Sequence, residues 1–276
     1  MGAALPILWL DDGLVEHPSA RVSPFDHGLT VGDGVFETLK VVGADAFAVS
    51  RHLRRLRHSA EAMSLAVPAD ATLRSAIAAV LAANPTATKI RVMVTSGEGR
   101  AGSGRGDGPV TLVVFADDAP LATGAARLAL VPWTRNEGGA LAGIKSTSYA
   151  ENVLALRRAR SVGADEALFA NTRREVCEGS GSNVFAVLDG VLTTPPLSSG
   201  CLAGITRELV LEITDAVEAP IPVAAIGEVS EWFLTSSTRD VQPVIAIDDH
   251  SWPQAPGPRT ATAAAAFARA ARDLDP

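Results

Sequence analysis

Short apolar runs alternate with polar residues through positions 5–50, and turn signals interrupt them. Asp11-Asp12-Gly13 and Gly43-Ala44-Asp45 have the composition of hairpin turns, and 35–42 reads as a strand. The period then changes. Leu53, Leu56, Ala60 and Met63 recur at helical spacing within 50–64, with a basic opposite face. Asp70 is placed to cap a second helix over 71–84. Lys89–Thr95 and 110–115 read as strands around a Gly/Arg/Ser loop at 97–108. The second half predicts strands at 127–132, 166–170, 182–188, 191–194, 221–225, 232–235 and 241–247. Helices are expected at 149–161, 206–216 and the alanine-rich 260–273. Residues 117–125 mix Asp, Pro, Thr and Gly with little periodicity, as a linker does. The pattern predicts an α/β (α+β) chain with a small N-terminal domain (1–116), the linker (117–125) and a larger C-terminal domain (126–276).

Composition narrows the classes. With 47% hydrophobic and 20% charged residues in 276, the chain can build a sizeable core and is not disordered. A net charge of −7 argues against nucleic acid or an anionic membrane surface as partner. No run of eighteen or more apolar residues occurs, so no membrane span is expected. The start, MGAALPILWLDDG, has no basic segment before its short apolar run and does not read as a signal peptide. Cys177 and Cys201 make no disulfide framework, which fits a reducing cytoplasmic setting. The five histidines show no metal-ligand spacing, so no metal is expected.

Of 24 basic residues only three are lysines: Lys40, Lys89 and Lys145. A nucleophilic amine must lose its proton, which arginine does not do. Lys145 lies in Gly-Ile-Lys-Ser-Thr-Ser-Tyr-Ala-Glu, where Ser148 and Glu151 have capping-box spacing. A helix dipole starting just beyond would lower the lysine pKa, as imine formation requires. Tyr149, the single tyrosine, follows four residues on and offers a phenol. In Glu178-Gly-Ser-Gly-Ser-Asn183 a carboxylate precedes a flexible loop, and such a carboxylate can keep a pyridine nitrogen protonated. Gly200-Cys-Leu-Ala-Gly204-Ile205-Thr206-Arg207 opens a helix and has the makings of a phosphate site. Thr235-Ser-Ser237-Thr238 adds hydroxyls at a strand end. Taken singly, a surface lysine, a Gly/Ser turn and a plain helix cap remain open readings. The loop at 97–108 lacks the Gly-Lys-Ser/Thr ending of a nucleotide loop.

The segments SPFDHGLTVGDGVFETLKV, HLRRL, GIKSTSY, EGSGSNVF, GCLAGITR and FLTSSTRDVQPV resemble, in this order, class IV (fold-type IV) pyridoxal-phosphate aminotransferases. The likeness covers roughly residues 20–247. It implies two domains with the cofactor, pyridoxal 5'-phosphate, in the cleft between them and held largely by the C-terminal domain. It implies Lys145 as the Schiff-base and catalytic lysine and Glu178 as partner of the ring nitrogen. Arg55, Gly204, Ile205, Thr206 and Ser237 would hold the phosphate, Tyr149 would lie near the ring oxygen, and Thr238 would lie near the substrate carboxylate. Around EGSGSNV, GITRELV and TSSTRDVQPVI the chain is most similar to D-amino-acid aminotransferases, which pass an amino group between a D-amino acid and a 2-keto acid. SPFDHGL and GVFETL are equally similar to aminodeoxychorismate lyases, and branched-chain aminotransferases share the same lysine. Two positions depart from the D-specific pattern: Phe36 replaces a tyrosine, and Arg100-Ala-Gly102 keeps the arginine of an Arg-x-His pair but lacks its histidine. Arg100 and Arg105 would make the 97–108 loop a site for a substrate carboxylate, with Arg100 as the contact. The resemblance also implies a homodimer whose loop reaches the neighbouring active site.

Overall fold

The structure, a computed structural model, describes residues 6–276. Residues 1–5, the start of the segment read above against a signal peptide, lie outside the described residues. The chain clusters into two units. The first holds Met1–Leu121, Ile144–Tyr149 and Asp273–Pro276; the second holds Ala122–Gly143 and Ala150–Arg272. The lysine segment therefore groups with the N-terminal unit, although it follows the break at 121 in sequence.

In the first unit β1 (Ile7–Leu10), β2 (Gly13–Glu16), the short α1 (His27–Thr30), β3 (Gly34–Val42), β4 (Asp45–Ala46), α2 (Val49–Ala62), α3 (Asp70–Ala83), β5 (Lys89–Thr95) and β6 (Thr111–Asp117) follow one another. The sheet is antiparallel, in the order β2-β1-β6-β5-β3-β4. Both expected hairpins form with two-residue loops, Asp11-Asp12 and Gly43-Ala44. Asp11 and Gly43 supply the positive φ that such tight turns need (52° and 64°). Val35, Leu39, Ile90, Val92 and Val94 meet Leu53 and Leu56 of α2 and Leu73 and Ile77 of α3 in one apolar core. Strand parity sends Phe36, Thr38 and Lys40 to the opposite face, with their β5 partners Met93, Arg91 and Lys89.

Two expectations for this unit are corrected. Asp70 does not cap α3; it is the first helical residue, and its carboxylate pairs with Arg57. The basic face expected on α2 is in part buried, since His52 and Arg55 lie inside.

The second unit runs β7 (Ala126–Arg135), α4 (Ala150–Ser161), β8 (Glu166–Asn171), β9 (Val176–Gly179), β10 (Asn183–Leu188), β11 (Val191–Thr194), α5 (Ile205–Ile213), β12 (Val217–Glu218), β13 (Glu231–Ser236), β14 (Asp240–Ile247), β15 (His250–Ser251) and α6 (Pro258–Ala270). Its mixed sheet has the order β12-β11-β10-β13-β14-β7-β8-β9, with β15 on β14. Parallel pairs β7–β8 and β7–β14 sit inside it, and Ala167, Leu168 and Phe169 of β8 are buried on both faces, as in a covered strand. The strand expected at 221–225 is absent. Ile221 is buried, but Pro220 and Pro222 remove ladder donors, and a 3₁₀ turn follows at Val223–Glu228. Conversely β9 forms where no strand was expected, which places Glu178 on an edge strand opposite Phe169. Proline at the first position starts α6. No helix among the described residues is long and apolar enough to cross a membrane.

Candidate functional site

Lys145 belongs to a segment laid along the start of β3. Phe36 N–H donates to the Lys145 carbonyl (3.1 Å), and Thr147 N–H donates to Gly34 O (2.8 Å). Lys145 N–H donates to Ser59 Oγ of α2 (3.2 Å). The hydroxyls of Thr147 and Ser148 both donate to Gly32 O. The capping box expected at Ser148 and Glu151 is not formed: α4 starts at Ala150, and the Glu151 carboxylate pairs with Arg135. Lys145 is fixed by pairing with β3, and its amine lies 4.3 Å from the Phe36 ring centroid and 5.9 Å from that of Tyr149. Those two rings meet edge to face at 5.3 Å. The structure thus brings Lys145, Phe36 and Tyr149 together. It adds Arg91, which sequence reasoning missed, with its guanidinium 4.6 Å from the Phe36 centroid and Nε donating to Thr38 Oγ1. Its signal was register, since Arg91 faces Thr38 across the ladder and so shares Phe36's face.

Arg55 lies on α2 one turn before Ser59, and its guanidinium clasps Glu37 (Nε to Oε1 2.8 Å, Nη2 to Oε2 2.6 Å). His52 Nδ1 lies 2.7 Å from Glu37 Oε2. Glu37 is fully buried, on the core face with Val35 and Leu39. Burial alone would raise its pKa. The Arg55 charge and hydrogen bonds, then those of His52, more than offset this and hold the carboxyl at about 2. Burial pulls His52 below its usual 6.5 against the pull of Glu37, and the charges of Arg55 and Lys145 add to the effect. Neither partner was expected from the sequence; the signal was a glutamate on the inward parity of an apolar strand.

A carboxyl whose folded pKa is depressed from 4.5 to about 2 stabilises the fold fully above the upper value, and that stability drains away as pH falls through the lower one. The buried, neutral His52 acts in the same direction from 6.5 downward. Glu37→Gln should lower stability at pH 7 by roughly 3 kcal/mol, because a buried guanidinium loses its counter-charge. It should also flatten the acid limb between pH 4.5 and 2, as read by denaturant melts across that range.

In the 97–108 loop the two arginines differ. Arg105 donates to both Asp33 oxygens (2.6 and 2.7 Å) and to the carbonyls of Met63 and Ser64. The hydrogen bond from Arg105 is the main reason the Asp33 carboxyl titrates below its usual value. The anion expected for Arg105 is therefore a side chain of the same unit, and no substrate is needed to satisfy it. Arg100 is exposed, and its carbonyl meets the buried His27 Nε2 at 3.0 Å.

The second unit carries the remaining candidates. Glu178 accepts the Leu202 N–H at Oε2 (2.9 Å), and Arg135 Nη2 lies 3.7 Å from Oε1. Arg135 stacks over Phe169 at 4.1 Å. Gly204 precedes α5 as its N-cap without a side-chain cap, so its first-turn amides, those of Ile205 and Thr206, have the polarity to receive an anion. A side chain at Gly204 would collide with Asn183 Oδ1. Ser237 and Thr238 form the turn between β13 and β14, where Thr238 Oγ1 lies 3.4 Å from Ser236 Oγ. Beside them Thr235 pairs with Asn183 across the ladder. Thr235 Oγ1 and the neighbouring Ser182 Oγ are buried without a hydrogen-bond partner among the described residues. Orphaned hydroxyls are costly in a finished core and are expected at a polar ligand site. Together with a carboxylate and a helix start, they fit a phosphorylated pyridine. No cluster of three or more His, Cys, Asp or Glu suited to a metal occurs among the described residues.

The family model for class IV amino-transferases matches residues 34–247. The chain is 30% identical over 262 residues to a branched-chain-amino-acid aminotransferase of Pseudomonas aeruginosa, covering 88% of this chain and 85% of that protein. It is 31% identical over 264 residues to a D-alanine aminotransferase of Listeria innocua, covering 87% and 86%. Among solved structures, the PLP-bound form of a hypothetical aminotransferase from Mycobacterium tuberculosis superposes with a TM-score of 0.84 at 26% identity, covering 96% of this chain and 98% of that one.

Proposed function

Because the chain belongs to the class IV amino-transferases, with their fold-type IV architecture, we propose that it is a pyridoxal-phosphate-dependent transaminase passing an amino group between an amino acid and a 2-keto acid. The observation that carries this reading is Lys145, held by main-chain pairing with its amine against Phe36 and Tyr149. Pyridoxal 5'-phosphate, when bound, supplies a carbonyl that condenses with amines and a ring that accepts the electrons of a broken Cα–H bond. Lys145 serves as the amine that anchors it and as the base that takes and returns the substrate α-proton. Glu178 keeps a proton on the ring nitrogen. Arg55, the α5 start from Gly204 to Thr206, and Ser237 hold the phosphate, while Tyr149 faces the ring oxygen. Domain limits of 1–116 and 126–276, with the cofactor held largely by the second, are part of this reading. So are a homodimer and a cytoplasmic setting.

The D-alanine relative and the EGSGSNV, GITRELV and TSSTRDVQPVI blocks support a D-amino acid as donor. The P. aeruginosa relative supports a second reading, in which the donor is a branched-chain amino acid, and Phe36 in place of the D-specific tyrosine counts against the first. Spectral titration of the purified protein with panels of D- and L-amino acids decides between them. Turnover that stops without a keto-acid acceptor marks a transaminase; pyruvate release without one marks an aminodeoxychorismate lyase.

Arg100 and Arg91 are the two arginine candidates for the substrate carboxylate, and the reading assigns Thr238 to the same group. Arg100→Ala is expected to raise KM for amino acids about 10–150-fold more than for simple primary amines, the scale of one charge-assisted hydrogen bond. Equal losses for both substrate classes would remove Arg100 from carboxylate binding, and the same KM comparison on Arg91→Met would then test the partly buried arginine.

A further inference from the structure

Glu166 opens β8 and is 2% exposed, next to Ala167, Leu168 and Phe169, which have no exposure at all. One oxygen, Oε1, accepts the N–H of Ser180 (3.0 Å), its hydroxyl, and the Ala167 N–H (3.1 Å). The other, Oε2, accepts Arg239 Nη2 (2.9 Å). Ser180 lies in the loop immediately after Glu178 and Gly179, and Arg239 follows Ser237 and Thr238 directly. A single buried carboxylate therefore joins the end of β9, which carries Glu178, to the turn that carries Ser237 and Thr238. Both ends are held from behind as well. Asn152 Nδ2 donates to Ser180 O (2.6 Å), while Arg239 Nη1 donates to Gln242, whose own amide donates to Gly124 O (3.1 Å). A side chain at Gly179 would collide with Ser182 Oγ and would also stand 3.2 Å from Glu166 Cγ, so the chain passes close to both where it leaves β9.

A buried acid–arginine pair is a poor means of stabilising a core, since desolvation offsets most of its attraction. What it does well is fix geometry. We propose that Glu166 is a positioning residue that locks the Glu178–Ser180 segment and the Ser237–Arg239 turn in one register. The ring and the phosphate of the cofactor are then gripped at a set separation. The inference rests on the pyridoxal-phosphate reading above and names a residue outside the candidate contact set.

The test compares two probes on cofactor-stripped protein: pyridoxal 5'-phosphate, which engages both ends of the clasp, and pyridoxal, which lacks the phosphate. Glu166→Gln keeps the shape but lacks the charge that holds Arg239. It should weaken pyridoxal 5'-phosphate by about 10-fold or more, the scale of a charge-assisted hydrogen bond, and weaken pyridoxal much less, so the affinity ratio narrows. Arg239→Gln should narrow the ratio similarly, and the double variant should add little. If Glu166→Gln does not fold, Arg239→Gln alone decides by the same ratio. A lower melting temperature with an unchanged ratio in these variants would mean that Glu166 merely supports the fold, and would overturn the proposal. Wild-type protein that bound neither probe would overturn the proposed function itself.

Discussion

Lys145→Ala is expected to lower turnover by about 10⁴-fold or more, because one residue would lose both its nucleophilic and its proton-transfer role. The variant should also lose the absorbance near the visible edge and the borohydride-fixed attachment of pyridoxal phosphate to the chain. The other lysines are poorly placed to take over. Lys89 Nζ is engaged 3.6 Å from Asp117. Lys40 pairs with Lys89 in the β3–β5 ladder, four residues along the strand from Phe36, a displacement of roughly 13 Å at strand rise. Arginine cannot replace an amine that must shed its proton, so Lys145→Arg should be as inactive. The decisive measurement is single-turnover spectroscopy with mass analysis after borohydride. A variant that still fixes the cofactor to the chain and turns over at the wild-type rate would move the role to Lys40 or Lys89.

What the sequence disclosed followed from short-range physics. Both hairpins were legible because a two-residue turn imposes its backbone demands on adjacent residues, and Gly43 and Asp11 meet them. Helix α2 was legible from periodicity, α3 from a cap-type residue at its start, and strands β5 and β6 as short runs around a Gly/Arg/Ser loop. The misreadings arose where a side chain found a distant partner. Asp70 was a sound cap by composition, yet Arg57, thirteen residues away, takes its carboxylate. Ser148 satisfied a capping-box pattern, yet it donates to Gly32, 116 residues earlier. Local rules state what a residue can bond, and the tertiary fold decides what it does bond. Around the candidate site, Lys145, Glu178 and Thr206 stood out as chemistry in a suggestive setting. Their supporting residues did not. Arg91 needs strand register to be seen, and Glu37 needs parity. Glu166 needs the knowledge that two loops, 59 residues apart from Ser180 to Arg239 in the numbering, converge on one carboxylate.

Glu178→Gln is expected to cost about 10²-fold or more in rate while leaving cofactor affinity nearly intact. Glutamine fills the same space, and its amide oxygen can still accept the Leu202 N–H that the carboxylate holds at 2.9 Å. What it lacks is the negative charge that favours a proton on a ring nitrogen. Arg135 Nη2 lies 3.7 Å from the other oxygen, so both carboxylate oxygens face donors. The wild-type side chain is thereby poised as an acceptor, and the Gln variant removes that property with little change of shape. The loss should appear in kcat, with KM and cofactor Kd little changed, because the charge matters most when the substrate Cα–H bond breaks. This pattern is the reverse of that expected for Glu166→Gln, where affinity for the phosphorylated cofactor falls. An unaltered rate in Glu178→Gln would remove the residue from the reaction. A rate loss accompanied by an equal loss of cofactor affinity would show that Glu178 acts by holding the Leu202 segment, with its charge incidental to the chemistry.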